Sequence, residues 1–411
     1  MYKISQIDQG HVQDLALIRV DAFPGHTTTL EQACENITET HSRPDVKYYG
    51  AFKDDKLVGG FNIWDFEMNM RQCMIKAGGV GTIVVDLCHK KEKIAREIMR
   101  YFLDNLRKKG ANMALLYPFD SGFYHRMGFG FGTLLQQFRV RPDGFTAGNS
   151  KARIVRLTED SAELLTDFYN SRVKTTHGLI MKRADEFEKR LKTPANRIFA
   201  YIDGGIRGYI HFQFRKGSEE SVLVNDMFVG ELLFDSPQVF MEIMAFVKSQ
   251  NDQIRYVIIN TQDEGIIQTI PDPRNHMDRM LFPVYQEVCR TGLGIMYRII
   301  DVKAFFKDIA SCRFGSLNMT LQVNVKDSFV PDNNRPFILK FSDGLCKIMP
   351  YATPDAQLCI DIAEFSSLVM GTSNLVSLVK YGKAHLSDAS WLDSLSRSFS
   401  LDEKPICLTY F

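Results

Sequence analysis

The sequence predicts a layered α/β chain whose C-terminal third turns to α+β, on three observations. Strand and helix patterns alternate through residues 1–150, and the same order returns in weaker form over residues 151–285. From about Gly292 the runs become short, alternating and rich in β-formers, which sets off residues 286–411. With 411 residues there is length for two or three domains, each with its own core.

In the first third, "YKISQI" predicts a strand, and "HVQDLALIRVDAF" carries apolar residues at helical spacing. "VKYYGAFKDDKLVGGFNIWDFEMN" predicts a hairpin around the polar turn "KDDK". "VGTIVVDL" predicts a buried strand, "HKKEKIAREIMRYF" a helix and "ANMALLYP" another strand. A short helix, "SGFYHRMGF", then leads into a strand over "GFGTLLQQFRV".

The middle third repeats this plan. "ARIVRLTEDSAELLTDFYNSRV" predicts strand and capped helix, and "RIFAYIDGGIRGYIHFQF" a hairpin turning at Gly204 and Gly205. Strand, helix and strand follow over "LVNDMFVGELLFDSPQVFMEIMAFVKSQNDQIRYVIINT". Its strand-to-helix junction holds Asp235, Ser236 and Pro237, a helix cap without a cationic cradle. This predicts an internal duplication with one chemically silent copy.

The breaker-rich stretch "QDEGIIQTIPDPRNHMDRM" marks the next boundary. Beyond it, "GIMYRIIDV", "LNMTLQVNV", "PFILKFSDG", "LCKIMP" and "AQLCIDI" predict strands of the third domain. "AEFSSLVMGT", "NLVSLVKYGKA" and "ASWLDSLSRSF" predict helices, and "ICLTYF" a last strand.

Composition narrows the function. Fifty basic and 49 acidic residues give a net charge of +1, so nucleic-acid binding has no global electrostatic support. The eight cysteines are scattered, without a CxxC pair, and predict reduced thiols in a cytoplasmic protein. No basic-then-apolar leader and no membrane-length apolar run is present, which predicts neither secretion nor a membrane partner. No HxxxH or HExxH spacing suggests a metal.

Two stretches could carry chemistry. In "TIVVDLCHKKEKIAREIM" a buried strand passes through Lys90, Lys91, Glu92 and Lys93 into a helix N-terminus, where backbone N–H groups and lysines can meet a phosphate. The same charge run can be a solvated face. In "DSGFYHRMGFG", Tyr124 precedes Gly128 by four residues. A tyrosine hydroxyl, with an ordinary pKa of ~10, suits proton donation to a leaving thiolate. Phe123, Tyr124 and Met127 also read as the apolar face of a short helix. Met68, Met70 and Met74 could line a pliable pocket or pack in the core, and Trp64, Asp65 and Glu67 could meet a cationic amine or form a surface strand end.

Together "IVVDLCHKKEKIA" and "FYHRMGF" resemble the two motifs of the GNAT superfamily of N-acetyltransferases. The three-domain order, the C-terminal pieces "VNVKDSFVPDNNRPFILKF" and "CIDIAEFSSLVMGTSNLVSLVKYGKA", and a final phenylalanine resemble the Eis acetyltransferases. That resemblance implies two tandem GNAT-type α/β domains, the second degenerate, and a sterol-carrier-protein-like α+β domain. It implies acetyl-CoA as co-substrate, no metal, and a small-molecule primary amine as acceptor, of aminoglycoside, polyamine or lysine type. It also implies a homo-oligomer, with a hexamer in view. Carried onto this chain, Ile83, Val84 and Val85 would offer backbone groups to the pantetheine arm. Lys90, Lys91, Glu92, Lys93, Ile94, Ala95 and Arg96 would surround the pyrophosphate, with Phe119 and Asp120 nearby. Tyr124 would be the general acid and the carboxylate of Phe411 the general base. "ICLTYF" would equally suit an edge strand tucked into the core.

The chain departs from the family at Lys93, where the loop ordinarily has glycine, and Glu92 beside it would oppose an anion. A lapsed transferase that binds a small apolar or lipid ligand through the third domain is the competing reading.

Overall fold

The computed structural model describes residues 2–25, 27–276, 282 and 286–411. The first-domain strands are β1 (Lys3–Gln6), β2 (Val46–Lys53), β3 (Lys56–Met70), β4 (Cys73–Val85), β5 (Met113–Leu116) and the two-residue β6 (Gly130–Phe131). Between them lie helices α1 (Val12–Ala22), α2 (Leu30–Ser42), α3 (Ile94–Lys108) and α4 (Ser121–His125). The sequence reading missed α2, although Thr29 and Gln32 form a capping box at its start. It also missed that β4 begins at Cys73, because the β3–β4 turn is made by Arg71 and Gln72, both at positive φ, rather than by glycine or asparagine. The expected turn at Asp54 and Asp55 is present, with both residues at positive φ.

Helix α3 buries Ile94, Ile98, Phe102 and Leu106, spaced four apart on one face, and covers the sheet with them. Tyr124 and Met127 join the same core.

One predicted strand is divided. In "GFGTLLQQFRV", β6 stays with the first sheet, whereas β7 (Leu135–Val140) pairs antiparallel with a strand of the middle region, Ile254–Thr261. The reverse occurs at Met296–Ile299, expected in the third domain: it pairs with β5 and β6 and completes the first sheet. Each of these two sheets thus takes in a strand contributed from beyond the segment that forms most of it. A hydrophobic pattern reports that a strand is buried, not which sheet buries it.

The middle region holds β8 (Ile154–Arg156), α5 (Ala162–Val173), α6 (Ala184–Lys192), β9 (Asn196–Ile202), β10 (Ile206–Lys216), β11 (Asn225–Phe234), α7 (Pro237–Lys248) and β12 (Ile254–Thr261). With β13 (Cys289–Gly292) its sheet order is β13-β7-β12-β11-β10-β9-β8. The parallel β11–β12 pair matches the parallel β4–β5 pair, so the duplicated plan is present in the strand pairing. Residues 277–280 of the breaker-rich stretch, and residue 285 at the expected domain end, lie outside the described residues.

The strand Met296–Ile299 is β14, and α8 (Val302–Asp308) follows it. The third sheet, β17-β16-β15-β18-β19, is built from β15 (Met319–Lys326), β16 (Phe337–Ser342), β17 (Leu345–Met349), β18 (Ala356–Asp361) and β19 (Ala384–Leu386). Helices α9 (Ile362–Val369), α10 (Leu375–Lys380) and α11 (Leu392–Phe399) accompany it. Phe305, Phe306, Phe314, Phe337, Phe341, Phe365 and Phe399 fill its interior with linked ring contacts. The closing "ICLTYF" is no strand: it runs without ladder pairing, and the Tyr117 hydroxyl donates to the Thr409 carbonyl at 3.0 Å.

By internal contacts the chain forms two units: residues 1–132, 295–401 and 409–411, and residues 133–294 and 402–408. The first therefore contains both the first sheet and the third domain. Within it Cys73 and Cys312 are joined as a disulfide, 239 residues apart in sequence. This corrects the expectation of reduced thiols throughout, since such a distant pairing leaves no spacing signal.

Candidate active site

The site begins with a fault in the first sheet. Strands β4 and β5 pair only from Ala77↔Met113 to Gly79↔Leu115, yet β4 continues to Val85. Across β3 the register shifts between Gly60 and Asn62, so that Thr82 and Ile83 stand opposite Phe61, with Thr82 at φ +50°. This bulge twists β4 away from β5 and leaves its outer backbone groups without ladder partners, ready to accept an extended ligand as an added strand.

A cleft of about 730 Å³ opens there. Ile83, Val84 and Val85 form one wall, and Lys90, Lys91, Lys93, Ile94, Ala95 and Arg96 another. Phe119 and Asp120 lie on its rim. The structure therefore brings together eleven of the twelve residues expected around a cofactor.

Glu92 is the exception. Its carboxylate accepts hydrogen bonds from Lys53 Nζ at 2.8 Å and the Tyr2 hydroxyl at 2.6 Å, with His89 Nδ1 at 3.2 Å. The Lys53 and Tyr2 contacts hold it at a pKa of about 2. Glu92 thus ties the turn back to β1 and β2 instead of facing an anion in the cleft.

Lys93 occupies the N-cap position of α3 at φ +65°, ψ +15°, the left-handed conformation that glycine adopts without cost. A glycine would take this backbone shape without strain, whereas lysine takes it at a cost and adds a cation. Lys91 is also left-handed, at φ +70°. The two strained residues turn the chain so that the free N–H groups of α3 and three lysines share one end of the cleft, where an anion is favoured.

Tyr124 does not itself line the cleft: it is 3 % exposed and in ring contact with Phe119 and Phe123, which do, and with Phe129. Asp120 caps its helix by accepting from Phe123 N at 2.9 Å. Burial, and then the charge of Asp120, push the Tyr124 hydroxyl well above the ordinary tyrosine value, so it stays protonated.

Phe411 sits further along β4. Its carboxyl carbon would lie 2.9 Å from a Cβ at Gly81, and its ring 2.5 Å from one at Gly79. Glycine at these positions makes room for this residue. The ring also meets Phe66 and Tyr117 at centroid distances of 5.1 and 5.4 Å, and Tyr410 stacks on Tyr117. Asn62, whose Oδ1 accepts from Trp64 Nε1 at 3.1 Å, faces the same point above Gly81. The expected group of Trp64, Asp65 and Glu67 is divided by strand alternation, and Asp65 pairs with Lys109 at 2.8 Å.

Sequence reasoning missed the walls supplied by Ala22 and Phe23, and by Ser328 and Phe329 of the third domain. It also missed Arg126, a further cation of the cleft that sits inside the quoted motif. No group of residues suited to hold a metal ion occurs among the described residues.

Residues 3–132 match the acetyltransferase (GNAT) domain family, and residues 302–408 the sterol carrier protein domain. An N-acetyltransferase of Streptomyces avermitilis is 19% identical, over 94% of this chain and 97% of its own. The GCN5-related N-acetyltransferase of Anabaena variabilis superposes with a TM-score of 0.83 at 15% identity. Eis1 of Mycobacterium abscessus superposes with a TM-score of 0.78 at 16% identity, and in both structures the match covers 100% of each chain. GNAT domains use acetyl-CoA as co-substrate. By this domain content the chain carries an acetyltransferase domain of the GNAT family followed by a C-terminal sterol carrier protein domain.

Proposed function

We propose that the chain transfers the acetyl group of acetyl-CoA to a primary amine, with Tyr124 as general acid and the Phe411 carboxylate as general base. The observation that carries this reading is the splayed β4, whose Ile83–Val85 end lines the cleft with the lysine turn and whose Gly79 and Gly81 meet Phe411. Lys90, Lys91, Lys93 and Arg96 bind the pyrophosphate, and the backbone of Ile83 to Val85 orients the pantetheine arm.

Acetyl-CoA supplies the thioester that the amine attacks. Tyr124 gives its proton to the departing sulfur, a role that requires a hydroxyl still protonated at working pH. The Phe411 carboxylate takes the proton that the nitrogen loses. Even where it is a weak base it holds a cationic amine in line, helped by the rings of Phe66, Tyr117, Tyr410 and Phe411. An aromatic setting around a carboxylate favours acceptors that are cations, such as polyamines, aminoglycosides or lysine side chains.

The test is thiol release from acetyl-CoA against a panel of such amines, with Tyr124→Phe beside the unaltered chain. Loss of the acid lowers kcat by a factor of roughly 10²–10⁴ while acetyl-CoA affinity stays near that of the parent. Equal turnover by both proteins would remove Tyr124 from the mechanism.

A further inference from the structure

Arg298 and Asp327 form an ion pair with both side chains wholly buried, Nη2 to Oδ2 at 2.7 Å. Arg298 stands on β14, the strand that returns to complete the first sheet. Its Nη1 donates to the carbonyl of Met127. The Tyr124 carbonyl in turn accepts from Met127 N at 2.9 Å and from Phe129 N at 3.2 Å. The guanidinium is thus two links from the backbone of Tyr124.

It also explains the motif glycine. Gly128 is at φ +84°, and a Cβ there would stand 1.5 Å from Arg298 Nη1. No side chain larger than hydrogen fits while Arg298 keeps its place.

Asp327 looks the other way. Its Oδ1 accepts from Phe329 N at 3.0 Å and Val330 N at 2.8 Å, and its Oδ2 from Asn333 Nδ2 at 2.9 Å. These bonds shape the Ser328–Phe329 wall of the cleft. Arg298 also lies over the Phe329 ring, at 5.8 Å, and Arg96 of the lysine-rich turn approaches the same ring at 5.9 Å. One ion pair therefore holds both the turn that follows Tyr124 and α4 and the third-domain wall of the cleft. A buried pair of this kind is poor evidence of a gain in stability, because well-packed apolar residues often do as well, which leaves geometry as its use.

We propose that Arg298 and Asp327 are a positioning pair for acetyl transfer, setting Tyr124 against the cleft wall; this rests on reading Tyr124 as the acid. The experiment measures thiol release at saturating amine for Arg298→Met and Asp327→Asn. Each is made alone and in a Tyr124→Phe background, with thermal unfolding to confirm the fold. Each single variant is expected to lose about tenfold or more in kcat, with acetyl-CoA KM changed far less. Added to Tyr124→Phe, each should cost less than about twofold more, since the acid it positions is already gone.

Losses that multiply in full in the Tyr124→Phe background would overturn the pairing role, as would a folded variant with parental kcat. A Tyr124→Phe enzyme working at the parental rate would instead overturn the acid reading itself. Should Arg298→Met fail to fold, Asp327→Asn carries the test, because it keeps an acceptor oxygen for Phe329 N and Val330 N.

Discussion

Lys93 holds a backbone conformation that disfavours any side chain by about 1–2 kcal/mol, and it does so at the mouth of an anion site. Comparing Lys93→Gly with Lys93→Ala separates conformation from charge, because both lose the cation and only glycine relieves the strain. Lys93→Gly is expected to be the more stable by about 1 kcal/mol in urea unfolding. Tyr124 allows a prediction in pH. Its pKa is raised by burial and by Asp120, so its protonated form persists beyond the usual tyrosine range. The pH profile of kcat should show no fall assignable to Tyr124 up to about pH 10, the ordinary tyrosine value. A fall near pH 8 that Tyr124→Phe abolishes would contradict this. His125 and Glu364 lie 3.3 Å apart, and this contact raises the pKa of His125. Its contribution to stability is full below about pH 6.5, the unfolded value, and is lost as pH rises through the higher folded value. Thermal unfolding of His125→Gln against the parent should therefore converge at alkaline pH. At this scale the sequence was informative where neighbours in sequence share one surface, as Lys90, Lys91 and Lys93 do along the cleft. It set Glu92 around the pyrophosphate, wrongly, because the partners that turn it away, Tyr2 and Lys53, are distant in sequence.

Among the elements, β4 does most to create the site. Its glycines admit Phe411 on one face, and Gly78 admits Leu106 of α3 on the other, 2.3 Å from where a Cβ would sit. Gly81→Ala would push against the Phe411 carboxyl carbon and the Asn62 side chain. It is expected to lower kcat about tenfold or more while acetyl-CoA still binds, which steady-state and titration measurements together would show. An equal fall in binding would place Phe411 outside the transfer step. Strand and helix types were mostly legible from period and caps, as with α3, α7 and the β9–β10 hairpin. The turn at Arg71 and Gln72 was not, because neither residue type announces positive φ. The bulge at Thr82 was hidden too: it arises from pairing with β3, which no single strand encodes.

For the whole molecule, the decisive feature is that the first sheet and the third domain form one unit. β14 links them, Arg298–Asp327 bridges their buried faces, and Ser328 and Phe329 enter the cleft from the third domain. Asp327→Ala leaves Arg298 charged and buried without its partner, and should destabilise this unit by about 3–5 kcal/mol in chemical unfolding. Sequence reasoning saw the three-part plan and the repeat, but composition cannot show that two strands complete sheets other than those formed by their neighbours in sequence. The central claim is that the cationic turn holds the pyrophosphate of acetyl-CoA, and titration calorimetry of acetyl-CoA into the parent and Arg96→Glu tests it most directly. The substituted glutamate lies in the first turn of α3, where an acidic residue suits the helix, so the fold is left undisturbed. The account predicts one acetyl-CoA bound per parent chain and affinity lower by about tenfold or more in Arg96→Glu. No binding by the parent, or equal affinity in both, would contradict it.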